Sequence, residues 1–264
     1  MNLLKQYTEG QMDAAIEWLQ QYVQTADEEA LHQFRVSLKK IHAVMHYFRQ
    51  NEHHCKKIKQ LKRLQKELFS EAGFIRDAEV KMRWLERNRK PLLLKASLLP
   101  EKKENFRQYF SAQSKKNISL LKAIKEQLVV LTKEEKAATV FAYSLQLKES
   151  VQQLISQHPA SNDWHELRKK IKQLLYAWHW NRKEEQLKLL KVNELNKLDQ
   201  LQNAIGAWHD AENLKEWFGN EQFFLNEDMQ VKKQFNSAWK KVLAEVEQSE
   251  KTVELLLKKR LKSE

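Results

Sequence analysis

The feature that most constrains this chain is a pattern that occurs twice at one constant spacing. His-x-x-Arg-x-x-x-Lys begins at His32 and again at His165, a shift of 133 positions. The same shift, with no insertion over about fifty residues, relates other pairs downstream, and such a constant offset indicates an internal duplication. These pairs are His46 and His179, Arg49 and Arg182, Gly73 and Gly206, Asp77 and Asp210, and Trp84 and Trp217. The sequence therefore predicts two equivalent parts, residues 1–132 and 133–264.

The scarcity of turn residues predicts an all-α fold. The chain has only 4 Gly and 3 Pro in 264 residues, whereas folds rich in β-strands need turn residues far more often. Apolar periodicity predicts about five helices in each part. Gly73 and Gly206 each stand four residues before an aspartate, which predicts that a left-handed glycine ends one helix and that Asp77 or Asp210 caps the next.

Composition also indicates the compartment and the kind of partner. Lys and Arg number 47 against 35 Asp and Glu, and the net charge of +12 indicates an anionic partner. A single cysteine, Cys55, excludes an intrachain disulfide and is typical of a reducing compartment. The chain starts without the apolar run of a signal peptide, and no stretch is long and apolar enough to span a bilayer. We therefore expect a cytoplasmic protein with no membrane partner.

A line of cationic side chains runs beside the predicted core of the first motif helix. The core seam follows steps of three and four residues through Leu31, Phe34, Leu38, Ile41, Met45 and Phe48. One residue further on, about 100° around the helix, the same rhythm gives a line of His32, Arg35, Lys39, His42, His46 and Arg49. The second copy has a seam of Trp164, Leu167, Ile171, Leu174 and Trp178 beside a line of His165, Arg168, Lys172, Leu175, His179 and Arg182. Cations beside a buried seam are typical of a groove.

Such a line suits a repeating polyanion, because cations three and four residues apart repeat about every 4.5 to 6 Å along a helix. Arginine can hold a phosphate with two parallel hydrogen bonds, lysine adds a compact charge, and histidine adds a donor whose charge depends on pH. The alternative is ordinary solvated charge on helix surfaces. Retention of residue type and spacing in both copies favours a binding role. Other cations within reach are Lys40, Lys62, Arg63, Lys66, Arg76 and Lys169.

Four segments resemble the motifs of the CHAD family, the conserved histidine α-helical domain. They are LHQFRVSLKKIH, GFIRDAEV, WHELRKKIKQLLY and LQNAIGAWHDAENL, in the family's order. The resemblance implies two pseudo-symmetric helical bundles around a basic central cavity that binds inorganic polyphosphate, with no catalytic residue and no cofactor. Storage, scavenging, targeting to polyphosphate granules and regulation of a partner all stay open as cellular roles.

The resemblance implies ligand contacts residue by residue. Carried over by position, the candidates are His32, Arg35, Lys39, Lys40, Arg76, His165, Arg168, Lys172 and Tyr176, and Lys169 lies beside them. Possible additional contacts are His42, His46, Lys62, Arg63, Lys66 and His179. Leu175 stands where the family usually has arginine, and His42 where it often has arginine. Both departures reduce fixed charge and predict weaker or more pH-sensitive binding.

Two other functions stay open from the sequence. A +12 helical protein binds the phosphate backbone of nucleic acids through counterion release, although reading a sequence needs side chains presented to the bases. A metal-dependent phosphohydrolase would need histidine and acidic ligands on one face, and His42 and His46 have such spacing. The second copy, however, has Leu175 at the position of His42, and adjacent His53 and His54 point in different directions on a helix. We therefore expect no metal site.

Overall fold

In a computed structural model, which describes residues 2–50, 55–220 and 228–261, the chain is built from helices. Over these ranges no strand occurs, which confirms the all-α class. His53 and His54 lie outside the described residues. The helices are α1 (Leu3–Thr25), α2 (Glu28–Arg49), α3 (Cys55–Arg87), α4 (Pro91–Ala96), α5 (Leu99–Ala112), α6 (Ser114–Lys133), α7 (Ala137–Ser156), α8 (Ser161–Trp178), α9 (Lys183–Leu189), α10 (Val192–Asn220) and α11 (Met229–Leu261).

The chain forms two compact units, each assembled from separate stretches of sequence. Unit 1 comprises Met1–Val80, Pro100–Ser144 and Tyr176–Gln186, and unit 2 comprises Lys81–Leu99, Leu145–Leu175 and Leu187–Glu264. These compact units are interleaved along the chain and differ from the sequence parts 1–132 and 133–264. The division of the repeat near Thr132, the internal duplication and the central cavity stay predictions.

In unit 1 the predicted seam of α2 is buried. The carboxylate of Asp27 caps this helix by accepting hydrogen bonds from the N–H groups of Glu29 and Ala30, both at 3.2 Å. Phe34 packs against Phe110 of α5, with ring centroids 6.1 Å apart. The seam prediction is confirmed, because each of its members is at most 1% exposed: Leu31, Phe34, Leu38, Ile41, Met45 and Phe48. This packing fixes the rotation of α2 and places the cationic line at the edge of the core.

In unit 2 the seam of α8 is buried for most of its length. Trp164, Leu167, Ile171 and Leu174 are buried, as predicted. Trp178, at the end of α8, belongs to unit 1 and is half-buried. The indole of Trp164 also meets Trp208 of α10 edge to face, with centroids 5.0 Å apart. Because α8 ends at Trp178, the last two members of the predicted line, His179 and Arg182, lie beyond the helix.

The predicted helix ends at Gly73 and Gly206 are wrong. Both glycines lie inside long helices, α3 and α10, and no described glycine has a positive φ. The physical reason in α3 is its apolar seam, because Leu68, Ala72 and Ile75 are all buried and continue past Gly73 in phase. Burial of this face outweighs the helix penalty of about 1 kcal/mol for an interior glycine. Asp77 and Asp210 are accordingly helix-interior residues rather than caps.

Among the described helices, none is both long and apolar enough to cross a membrane.

Candidate functional site

Arg35 is the best-defined member of the cationic line in unit 1. The residue is half-buried, and its guanidinium donates a hydrogen bond of 2.6 Å through Nη1 to the main-chain carbonyl of Phe69 in α3. Its Cζ also lies 4.0 Å from the centroid of the Phe69 ring, which adds a cation–π contact. Burial, together with the nearby charge of Arg76, lowers the pKa of Arg35 to about 10. The guanidinium therefore stays charged at neutral pH.

Helix α3 adds a second cation beside the line on α2. Arg76 is half-buried. Burial lowers the pKa of the His32 imidazole, and the nearby charge of Arg76 lowers it further. Lys39 is half-buried one turn along α2 from Arg35, with Nζ 5.8 Å from the Phe69 ring centroid. Unit 1 thus brings together His32, Arg35, Lys39 and Arg76 as one group, which we call cluster 1.

Arg76 is balanced by a buried carboxylate. Its Nη1 lies 3.4 Å from Oε2 of Glu79, whose side chain is fully buried. Lys103 of α5 approaches Oε1 of the same carboxylate at 3.6 Å. Burial raises the pKa of Glu79, and the neighbouring Glu28 raises it further. Glu79 therefore orders Arg76 and lowers the positive potential of cluster 1.

Replacing Glu79 by glutamine is expected to tighten anion binding by about 2- to 5-fold. The neutral amide keeps the shape of the side chain but leaves the charge of Arg76 uncompensated for a ligand. Titration of labelled polyphosphate in 0.15 M salt measures the change. The control is Glu247→Gln, which removes the same charge from an exposed pair with Lys251 on α11. Equal tightening by both variants would show that net charge, rather than cluster 1, sets the affinity.

Unit 2 contains a similar group. Nε of Arg168, which is half-buried, donates to the main-chain carbonyl of Gln202 in α10 at 3.1 Å. The imidazole of His165 stacks on His209 of α10, with centroids 5.1 Å apart and planes inclined by 28°. Burial and the charge of Arg168 lower the pKa of Lys172, while Asp199 and Asp210 oppose that effect. We call His165, Arg168, Lys172 and His209 cluster 2.

The two clusters correspond member by member at the shift of 133 residues. Arg35 donates to the carbonyl of Phe69, and Arg168 donates to that of Gln202, the position equivalent to Phe69. The pairing of His32 with Arg76 has its counterpart in that of His165 with His209. Cluster 2 therefore carries an imidazole where cluster 1 carries a guanidinium. Sequence reasoning missed His209 as a candidate site residue, although the shift of 133 residues from Arg76 pointed to it.

Three other candidate residues form a separate group within unit 1. Burial lowers the pKa of Lys40, which is half-buried. Partial desolvation also lowers the pKa of His179, and the nearby charge of Lys40 lowers it further. The ring of His179 stacks on Tyr7, with centroids 6.3 Å apart. Burial raises the pKa of the Tyr7 phenol, and the nearby Tyr176 raises it further. Lys40, Tyr176 and His179 therefore share one neighbourhood around Tyr7.

The remaining candidates have partners of different kinds. Nδ1 of His42 lies 3.2 Å from Oε1 of Gln65, and Nδ1 of His46 lies 3.3 Å from the Tyr143 hydroxyl. Lys169 pairs with Glu166 at 3.0 Å on an exposed surface. Lys62 is half-buried, whereas Arg63 and Lys66 are exposed. Within the part of the chain that the structure describes, no group of three or more His, Cys, Asp or Glu could hold a metal ion.

Fold and clusters together define an all-helical protein with a cluster of cationic and imidazole side chains around one half-buried arginine in each of two compact units. The family model of the CHAD domain matches residues 6–219, and the chain belongs to the CHAD family. Its fold is similar to the crystal structure of the CHAD domain from the plant Ricinus communis, with a TM-score of 0.69. The two sequences are 17% identical, and the likeness covers 96% of this chain and 91% of that chain. The search of curated proteins gave no match.

Proposed function

We propose that this protein binds inorganic polyphosphate through clusters 1 and 2 and catalyses no reaction on it. The observation that carries the proposal is the repeated arrangement of His32, Arg35 and Arg76 in one unit and His165, Arg168 and His209 in the other. Membership of the CHAD family supports the choice of ligand. The expected location is the cytoplasm, and association with polyphosphate granules is one cellular role that binding would permit.

The physical basis of binding is cationic groups that packing has already partly dehydrated. A half-buried guanidinium that donates to a main-chain carbonyl loses less rotamer entropy when a ligand arrives, and it keeps other N–H donors for phosphate oxygens. The rise of α2 sets His32, Arg35 and Lys39 about 4.5 and 6 Å apart along the helix axis. A chain of linked phosphates can meet such a row with successive anionic groups, whereas an isolated small anion meets only one or two members.

Nucleic-acid binding is the second candidate, and one surface favours it. Helix α11 forms an open, shallow depression lined by Lys233, Asn236, Ser237, Lys240 and Lys241. Exposed lysines of this kind attract any phosphate backbone by counterion release, without reading its bases. This surface would add weak, salt-sensitive binding of DNA or RNA.

Competition between ligands separates the two proposals. Labelled long-chain polyphosphate is bound at physiological salt and displaced by unlabelled polyphosphate, duplex DNA or RNA at equal phosphate concentration. We expect polyphosphate to compete at concentrations at least about tenfold lower. The half-buried arginines of the clusters suit a thin chain without bases, whereas a duplex exposes only part of each backbone to them. More effective competition by DNA or RNA would favour the second candidate.

A further inference from the structure

Two glycines of this chain lie against the two arginines of the clusters. A Cβ atom added to Gly73 would lie 2.9 Å from Nη1 of Arg35. A Cβ atom on Gly206 would lie 2.8 Å from Nη2 and 3.1 Å from Nε of Arg168. Real Cβ atoms do not approach other heavy atoms below about 3 Å, so any side chain at either position would have to displace the guanidinium.

Backbone conformation does not explain these glycines. Both lie inside long helices, where glycine is less favourable than alanine by about 1 kcal/mol, and neither has a positive φ. Gly10, in the interior of α1, provides a contrast because a Cβ there would meet nothing within 4 Å. What sets Gly73 and Gly206 apart is the neighbouring guanidinium.

Helix geometry explains why glycine is needed there. Side chains on an α-helix lean towards the N-terminus, so a residue covers the turn that precedes it. The carbonyls of Phe69 and Gln202 accept hydrogen bonds from the two arginines. Gly73 follows Phe69 by four residues, and Gly206 follows Gln202 by four residues. A side chain at the glycine position would therefore cover the carbonyl that holds the arginine.

We infer that Gly73 and Gly206 are positioning residues of the anion site. Each glycine leaves a notch in the surface of its own helix, α3 or α10, and an arginine of the cationic line is held in that notch before the ligand binds. The residues that supply the carbonyls differ, Phe69 in one unit and Gln202 in the other, so the shared features are the carbonyl and the glycine. The inference rests on the proposed function only where it says that the held arginine contacts an anion. The notch itself is a property of the free protein.

A double-mutant cycle on thermal stability tests the notch. Gly10→Ala is expected to raise Tm by about 1 to 4 °C, the usual gain from replacing an exposed helical glycine. Gly73→Ala is expected to give no gain or a lower Tm, because Nη1 of Arg35, the atom that donates to the Phe69 carbonyl, must move away from the added methyl group. In the Arg35→Ala background the same glycine substitution is expected to raise Tm as Gly10→Ala does. A gain of equal size in both backgrounds would overturn the inference, whether or not polyphosphate binds.

Binding tests the positioning role, and long-chain polyphosphate is the probe. The variant Gly73→Ala with Gly206→Ala keeps every charged residue, yet we expect its affinity to fall about 5- to 10-fold, with a shallower dependence on salt. Gly10→Ala is expected to leave both unchanged. Since binding is measured well below Tm, a loss of stability alone would not alter the salt dependence. If the stability cycle shows the coupling between Gly73 and Arg35 but the affinity is unchanged, the arginines do not contact the anion.

Discussion

Replacing Arg35 and Arg168 together by alanine is expected to weaken polyphosphate binding by about 100-fold or more in 0.15 M salt. Each guanidinium offers charge-assisted hydrogen bonds worth about 1.5 to 3 kcal/mol, and 1.4 kcal/mol corresponds to a factor of ten. The logarithmic salt dependence should also become shallower by about 0.7 for each phosphate that the protein no longer neutralises, as for single-stranded phosphate chains. Titration of labelled long-chain polyphosphate at several salt concentrations measures both quantities.

The matched control removes the same charge from an exposed part of the fold. Lys258 and Lys259 are exposed near the end of α11, so their joint replacement by alanine is expected to weaken binding by less than about 3-fold. Equal losses from the two double variants would contradict the assignment of the site. Arg35→Lys with Arg168→Lys is a second comparison, because it keeps the charge but loses the planar pair of donors. We expect an intermediate loss of about tenfold from it.

The sequence predicted the local part of this site and missed the tertiary part. Steps of three and four residues placed Phe34 in the core and Arg35 at its edge, because helix periodicity alone decides which residues share a face. No local pattern indicates that the partner of Arg35 is a main-chain carbonyl, since that depends on which turn of α3 packs against α2. Gly73 was misread as a helix end because capping rules consider only neighbouring residues, whereas packing of Ala72 and Ile75 carries α3 past the glycine.

Polyphosphate affinity is expected to rise by about 10- to 100-fold between pH 7.5 and pH 5.5. Partial desolvation lowers the pKa of His32 and of His165. The charge of Arg76 lowers the pKa of His32 further, and Lys169 and His209 do the same for His165. Both imidazoles are therefore neutral in the free protein at pH 7.5. A bound phosphate favours the imidazolium form, so binding takes up protons, and about 1.4 kcal/mol gained at each histidine corresponds to a factor of ten in affinity. Titrations across this pH range measure the change.

Stability of the free protein should change in the opposite direction. A histidine whose pKa is lower in the folded state contributes stability that is present above its unfolded pKa of about 6.5, and this stability is lost as pH falls through the folded value. The free protein is thus expected to melt at a lower temperature at pH 5.5 than at pH 7.5. The increase in Tm on adding polyphosphate should be larger at pH 5.5, because the ligand binds more tightly there. Thermal denaturation with and without polyphosphate at the two pH values tests both statements.

The clusters differ in one residue type, which is Arg76 in cluster 1 and His209 in cluster 2. Exchanging these residues tests whether the pH dependence of binding arises in the clusters. His209→Arg gives cluster 2 the fixed charge that Arg76 supplies in cluster 1, so we expect tighter binding at pH 7.5. The gain on acidification should be smaller, because a guanidinium beside His165 lowers the pKa of that imidazole as Arg76 lowers the pKa of His32. Arg76→His makes the reverse change and should weaken binding at pH 7.5 while steepening the pH dependence. Replacing His158, an exposed histidine outside both clusters, by glutamine should alter neither quantity. Replacing His32 and His165 together by glutamine removes both titrating imidazoles. A pH dependence that survives this change would show that the titrating groups lie elsewhere and that these histidines do not contact the ligand.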